Sequence, residues 1–248
     1  MDIHKPKGVI HGWRELAKEI GIIVVGVLIA LGAEQAVEAL HWQHRVGEAE
    51  KVMSAELLQD MSDGYYRQSI APCLLAGLET VRLALEASRD KGAPAPVMTR
   101  FAAPLRPRQS DQWDSARALQ ITGHMPAERL ALWSQAYFFA TAVRSTQVEE
   151  QRAFIDLNTL SVNAGRLEPA ERDRLFHAFV QARSQLRLMS LGPTLMMERA
   201  SHLGLKVSPA EKGQVLAEAK AEFGDCAVAP DIKAQRSAAG LPSERGAR

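Results

Sequence analysis

Two cysteines, one Glu-x-x-His and one short Asp/Trp/His stretch hold most of the chemical potential of this sequence. Cys73 and Cys226 are the only cysteines in 248 residues. Their wide separation is unlike the CxxC of a redox enzyme or a zinc knuckle. In an oxidising compartment they are expected to pair as a structural disulfide, which closes a loop of about 150 residues and contributes roughly 3 to 5 kcal/mol on a chain-entropy model. The alternative is two inert buried thiols. Glu38-x-x-His41, with His44 about one turn beyond, puts a carboxylate and an imidazole on one helical face, the spacing found in metal-binding bundles. A di-iron bundle needs that spacing twice, and the nearest imitations, Asp173 with His177 and Glu198 with His202, are four apart. Glu34, Glu38, His41 and Arg45 equally suit solvated or mutually paired positions on a helix. Asp111, Trp113, Asp114 and His124 lie close together in sequence and could line a pocket. They also suit a helix start, a core residue and an exposed turn before Pro126. No GxSxG, Walker, GxGxxG or HExxH motif is present. The expectation is therefore no enzyme, no metal and no cofactor.

These residues must be positioned by helices, and the first helix carries the strongest signal in the chain. Ile20 to Ala33 is fourteen residues without a charge, an apolar run that calls for lipid although it is shorter than a full hydrocarbon core. Trp13 and Trp42 flank it 29 positions apart, about 44 Å of helix, which matches a bilayer with its interfacial layers. Lys18 and Glu34 can snorkel from the rim. Gly26, Ala30 and Ala33 form a small-residue face on which two such helices could approach. Lys5, Lys7, Arg14 and Lys18 precede the run, whereas only Arg45 and Lys51 follow closely, so the N-terminus is expected to stay cytoplasmic. A cleavable signal peptide would share the basic start, with Ala30-Leu31-Gly32 as its cleavage site. Against it, Glu34 to Leu40 continues in helix-forming residues. A buried core helix would need neither the basic flank nor the two tryptophans.

Trp13-Arg14-Glu15, Gly26-Val27-Leu28-Ile29-Ala30-Leu31-Gly32 and His41-Trp42 resemble the N-terminal signature of an uncharacterised family of proteobacterial single-pass inner-membrane proteins, over roughly the first sixty residues. The resemblance implies a membrane anchor and a helical extracytoplasmic domain. It brings no activity and no catalytic residues.

The 30 Lys and Arg against 29 Asp and Glu give a net charge of +1, so a nucleic-acid partner is not indicated. Helix starts are expected at Met125-Pro126, Glu168-Pro169 and Ser208-Pro209, each followed by Ala-Glu. Apolar residues between them recur at helical spacing, and strand alternation is missing. Ala39, Trp42, Val46, Ala49 and Met53 extend the first helix beyond the membrane as a packing seam or stalk. A second helix is expected from Pro72 to about Arg89, closed by Gly92, and a short one through Trp113 to Ile121. Gly192-Pro193 should kink or split the helix begun at Pro169.

The reading is all-α: one N-terminal transmembrane helix continuing into a bundle-like extracytoplasmic domain. Its parts are a cytoplasmic N-terminus (1–19), the transmembrane helix (20–40), a helical periplasmic domain (41–225) with a Pro-rich loop (93–109), and a flexible tail (226–248). The expected partners are the lipid bilayer and an envelope protein or a second copy. The expected function is scaffolding or service as an accessory subunit of an envelope assembly. The alternative is a sensory bundle that binds a small molecule and works with a membrane partner.

Overall fold

The computed structural model describes residues 12–89, 102–106, 110–161, 167–233 and 237. Among them there is no strand. Six α-helices carry the fold: α1 (Trp13–Ser69), α2 (Ala71–Ala87), α3 (Asp111–Ala118), α4 (Ala127–Leu157), α5 (Pro169–His202) and α6 (Pro209–Phe223), with a 3-10 turn at Ile121–His124 between α3 and α4. The all-α expectation holds, with one long apolar helix leading into a helical domain.

Local chemistry sets the boundaries. Pro72 lacks an N–H and stops α1 from continuing past Ser69. Pro169 and Pro209 occupy the first turns of α5 and α6, and Pro126 immediately precedes α4. Ser208 caps α6, its Oγ accepting the Glu211 N–H at 3.1 Å. Gly204, at φ 84°, turns the chain out of α5, and the Leu205 N–H returns to the Ala200 carbonyl at 3.1 Å.

α4 and α5 form an antiparallel hairpin, α2 packs on α5, and α6 packs on α1. One apolar cluster gathers Met53, Leu57, Trp133, Tyr137, Met196 and Ala200 at the end nearer the N-terminal helix. The other gathers Ile70, Leu78, Phe154, Leu175, Leu186 and Ala219 at the far end. α1 threads between them, and every residue from Asp60 to Ser69 is buried.

Several expectations are corrected. α5 runs through Gly192-Pro193 as one helix and does not split. The pair instead permits close approach: a Cβ on Gly192 would stand 2.6 Å from Val143 Cγ2, and one on Gly64 of α1 would stand 2.8 Å from the Pro193 ring. The seam on α1 starts at Trp42, because Ala39 is exposed. The short helix after Ser110 ends at Ala118, and Gln120 takes a left-handed conformation (φ 59°) before the 3-10 turn. The tail is not wholly loose. Ala227 is fully buried, and the Val228 N–H donates to the Ser69 carbonyl at 3.0 Å. Gly92 and most of the Pro-rich segment lie outside the described residues. Within 102–106 the chain is non-helical, with Ala103 buried.

Candidate functional site

Among the described residues, the N-terminal part of α1 has no packing partner. Every residue from Ile20 to Leu40 is exposed, including Ile22 at 74% and Leu28 at 61%. Its mean hydropathy reaches 2.2 over an 18-residue window, so α1 is long and apolar enough to cross a membrane. The helix passes Ala30-Leu31-Gly32 and Glu34–Leu40 without a break. Trp13, Lys18 and Glu34 are exposed, as are Gly26, Ala30 and Ala33. A Cβ at Gly26 would meet nothing within 4 Å.

Trp42 marks the junction between bare helix and domain. Its ring stacks on His124 of the 3-10 turn at 3.6 Å between centroids and 8° between planes. The Arg45 guanidinium lies over the same ring at 5.2 Å. Its Nε1 donates to Glu38 at 3.4 Å, which turns that carboxylate toward the indole. One face of Trp42 is therefore covered by the domain itself. Trp42 and His124 are 82 positions apart, so no local spacing in the sequence relates them.

Trp113 and Asp114 of the Asp/Trp/His stretch take separate partners. Trp113 stacks on Tyr137 at 5.3 Å. Asp114 accepts from Ser110 Oγ at 3.1 Å and pairs loosely with Arg117. The Tyr137 hydroxyl contacts the Met53 carbonyl at 3.1 Å and Glu56 at 2.8 Å. Burial, then the Glu56 hydrogen bond, push its pKa up. Glu50 accepts from Trp133 Nε1 at 3.0 Å and pairs with Arg129. Among the described residues, no three His, Cys, Asp or Glu side chains form a metal-binding group.

Between the two apolar clusters lies a polar layer that the sequence reading did not find. Arg67 of α1 pairs with Glu150 of α4, their side chains 5% and 0% exposed. Burial pulls the Arg67 pKa down and pushes the Glu150 carboxyl up, each opposed by the other's charge. Gln68 donates through Nε2 to Thr194 Oγ1 at 2.7 Å and to the Ser190 carbonyl at 2.8 Å, tying α1 to α5. Arg106 lies 3.7 Å over the Tyr66 ring and pairs with Asp63 at 3.2 Å and with Glu218 of α6. Tyr66 donates to Glu222, and burial, then that carboxylate, push its pKa up to about 12. The one available signal was an uninterrupted helical stretch, Met61 to Ser69, with polar residues all around its circumference.

Cys73 and Cys226 come together as a disulfide, with sulfurs 2.10 Å apart and Cα atoms 5.2 Å apart across a sequence separation of 153. It joins the start of α2 to the turn that follows α6. Comparison of the chain with protein-family models, curated proteins and solved structures found no match.

Proposed function

We propose that this chain is a single-pass protein of a bacterial inner membrane, with its N-terminus in the cytoplasm and its helical domain in the periplasm. It acts through protein–protein interaction, as a scaffold or accessory subunit of an envelope assembly. The observation carrying this reading is α1 itself. One uninterrupted helix is bare through its apolar half and, from Asp60 to Ser69, buried on all sides as the central strut of the domain. Such a helix fixes the height and orientation of the domain above a bilayer, which suits a part that presents surfaces to neighbours. The asymmetry of Lys and Arg around the apolar run supports the orientation. The cysteine pair suits an oxidising compartment, and the N-terminal resemblance points to the same address.

The test is cross-linking in intact cells, then purification in mild detergent and mass spectrometry. A reproducible heterologous partner whose cross-links map to residues 41–225 is the expected result. Self-cross-links alone would overturn the accessory-subunit reading in favour of a homo-oligomer.

A further inference from the structure

A cleft of about 470 Å³ opens where the end of α5 meets the start of α6, within the range of about 300 to 1,000 Å³ typical of ligand sites. Met61 of α1, Met197 of α5 and Leu205 supply apolar surface. Ile232, on the segment held down by the disulfide and by the Val228–Ser69 hydrogen bond, forms part of its border. Methionine adapts to flexible apolar ligands. Lys206 and Lys212 also line the cleft, where Glu198 is the one carboxylate among the described lining residues. Among the described residues neither lysine is in an ion pair, and the Lys212 ammonium sits 5.7 Å from the Tyr65 ring. The helix end adds little, because Ser208 already occupies the Glu211 N–H.

We propose that this cleft binds an anionic amphiphile, with one acyl chain against the methionines and a negatively charged head between Lys206 and Lys212. Lysine stems extend the apolar wall while their ammonium groups stay at the water boundary, which matches that division of the ligand. Residues 234–248 carry Arg236, Arg245 and Arg248 against one acidic side chain, Glu244, a charge opposite to that of the proposed ligand. Met61 lies about 28 Å along α1 from Trp42, so a ligand here is separated from the bilayer.

The test uses full-length protein in nanodiscs of neutral phosphatidylcholine, photolabelled with diazirine-bearing myristic acid and mapped by peptide mass spectrometry. Label is expected on peptides carrying Met61, Met197 or Ile232, and excess myristate should suppress it where myristyl alcohol does not. Joint K206E and K212E substitution should lower it about tenfold or more. Label on residues 20–40, which reports probe in the bilayer, should be unchanged by that substitution and serves as the internal control. Competition by a lysophosphatidic acid better than myristate would identify a phosphate head, and the reverse order a carboxylate. Label confined to residues 20–40, or equal competition by the alcohol, would overturn the proposal. So would cleft labelling that appears only after deletion of 234–248, which would give the site to the chain's own C-terminus.

Discussion

Breaking the Arg67–Glu150 pair from either side should destabilise the domain unequally, and the inequality should depend on pH. Both side chains are withdrawn from water, and among the described residues Arg67 Nε and Nη1 and Glu150 Oε2 have no hydrogen-bond partner. Glu150→Gln leaves a guanidinium that cannot shed its proton, so the loss should be about 3 to 5 kcal/mol, or about 6 to 20 °C in Tm for a domain of this size. Arg67→Met leaves a carboxyl whose pKa burial already raises, and it removes the charge that opposed the rise. That carboxyl can take a proton. A group with a raised folded-state pKa contributes stability that is present below its unfolded value, about 4.3, and is lost as pH rises through the folded value. The Arg67→Met loss should therefore shrink toward low pH relative to wild type, while the Glu150→Gln loss should not. The double variant Arg67→Met/Glu150→Leu should return to within about 2 kcal/mol of wild type, because a buried pair replaced by apolar groups is often neutral. The assay is thermal unfolding of the full chain in mild detergent, followed by far-UV circular dichroism across pH. A double variant that loses as much as the more destabilised single variant, or more, would refute the reasoning.

Other outcomes follow from the same geometry. Tyr65, Tyr66 and Tyr137 all have raised pKa values, with burial the largest cause for each, so tyrosinate absorbance should lag free tyrosine. Stability held by Tyr66 is fully present below pH 10 and lost as pH rises toward about 12, and Tyr66→Phe should remove that late component of a spectrophotometric titration. Cys226→Ser should lower stability by about 3 to 5 kcal/mol. A Tm unchanged from the oxidised protein would show that the staple carries no load. Gly192→Ala should destabilise by about 1 to 2 kcal/mol although alanine is the better helix former, since its Cβ would meet the stiff Val143 side chain at 2.6 Å. A Tm gain would refute that contact. Trp42→Ala should release the 3-10 turn carrying His124, seen as faster amide hydrogen exchange across 119–125, and no change there would separate the stack from the order of the turn.

How much could be read from the sequence depended on whether the physical cause was local. The helix starts at Pro126, Pro169 and Ser208-Pro209 were legible because proline and capping act within one turn. The long apolar helix was legible because fourteen successive residues without a charge can be counted directly. The split at Gly192-Pro193 does not occur, because a helix break and a close helix crossing use the same residues, and only Val143 and Gly64, both distant in sequence, distinguish them. The partners in the polar layer were not legible for the same reason. Asp63, Arg67 and Gln68 look like solvated helix residues until Arg106, Glu150 and Thr194 are brought to them. Ala227 and Ile232 were read as loose because their composition offers little to bury, yet the disulfide fixes where the segment starts and the Ser69 carbonyl takes its backbone. The cleft combines α1, α5, α6 and this segment, so no single stretch announced it.

The central claim, that α1 carries the domain across a bilayer, is tested most directly by accessibility in living cells. A cysteine introduced at exposed Ser184, with the Cys73–Cys226 pair left in place, should react fully with a membrane-impermeant maleimide added to cells whose outer membrane is permeabilised. Labelling that appears only after the inner membrane is broken would put the domain in the cytoplasm and contradict the account.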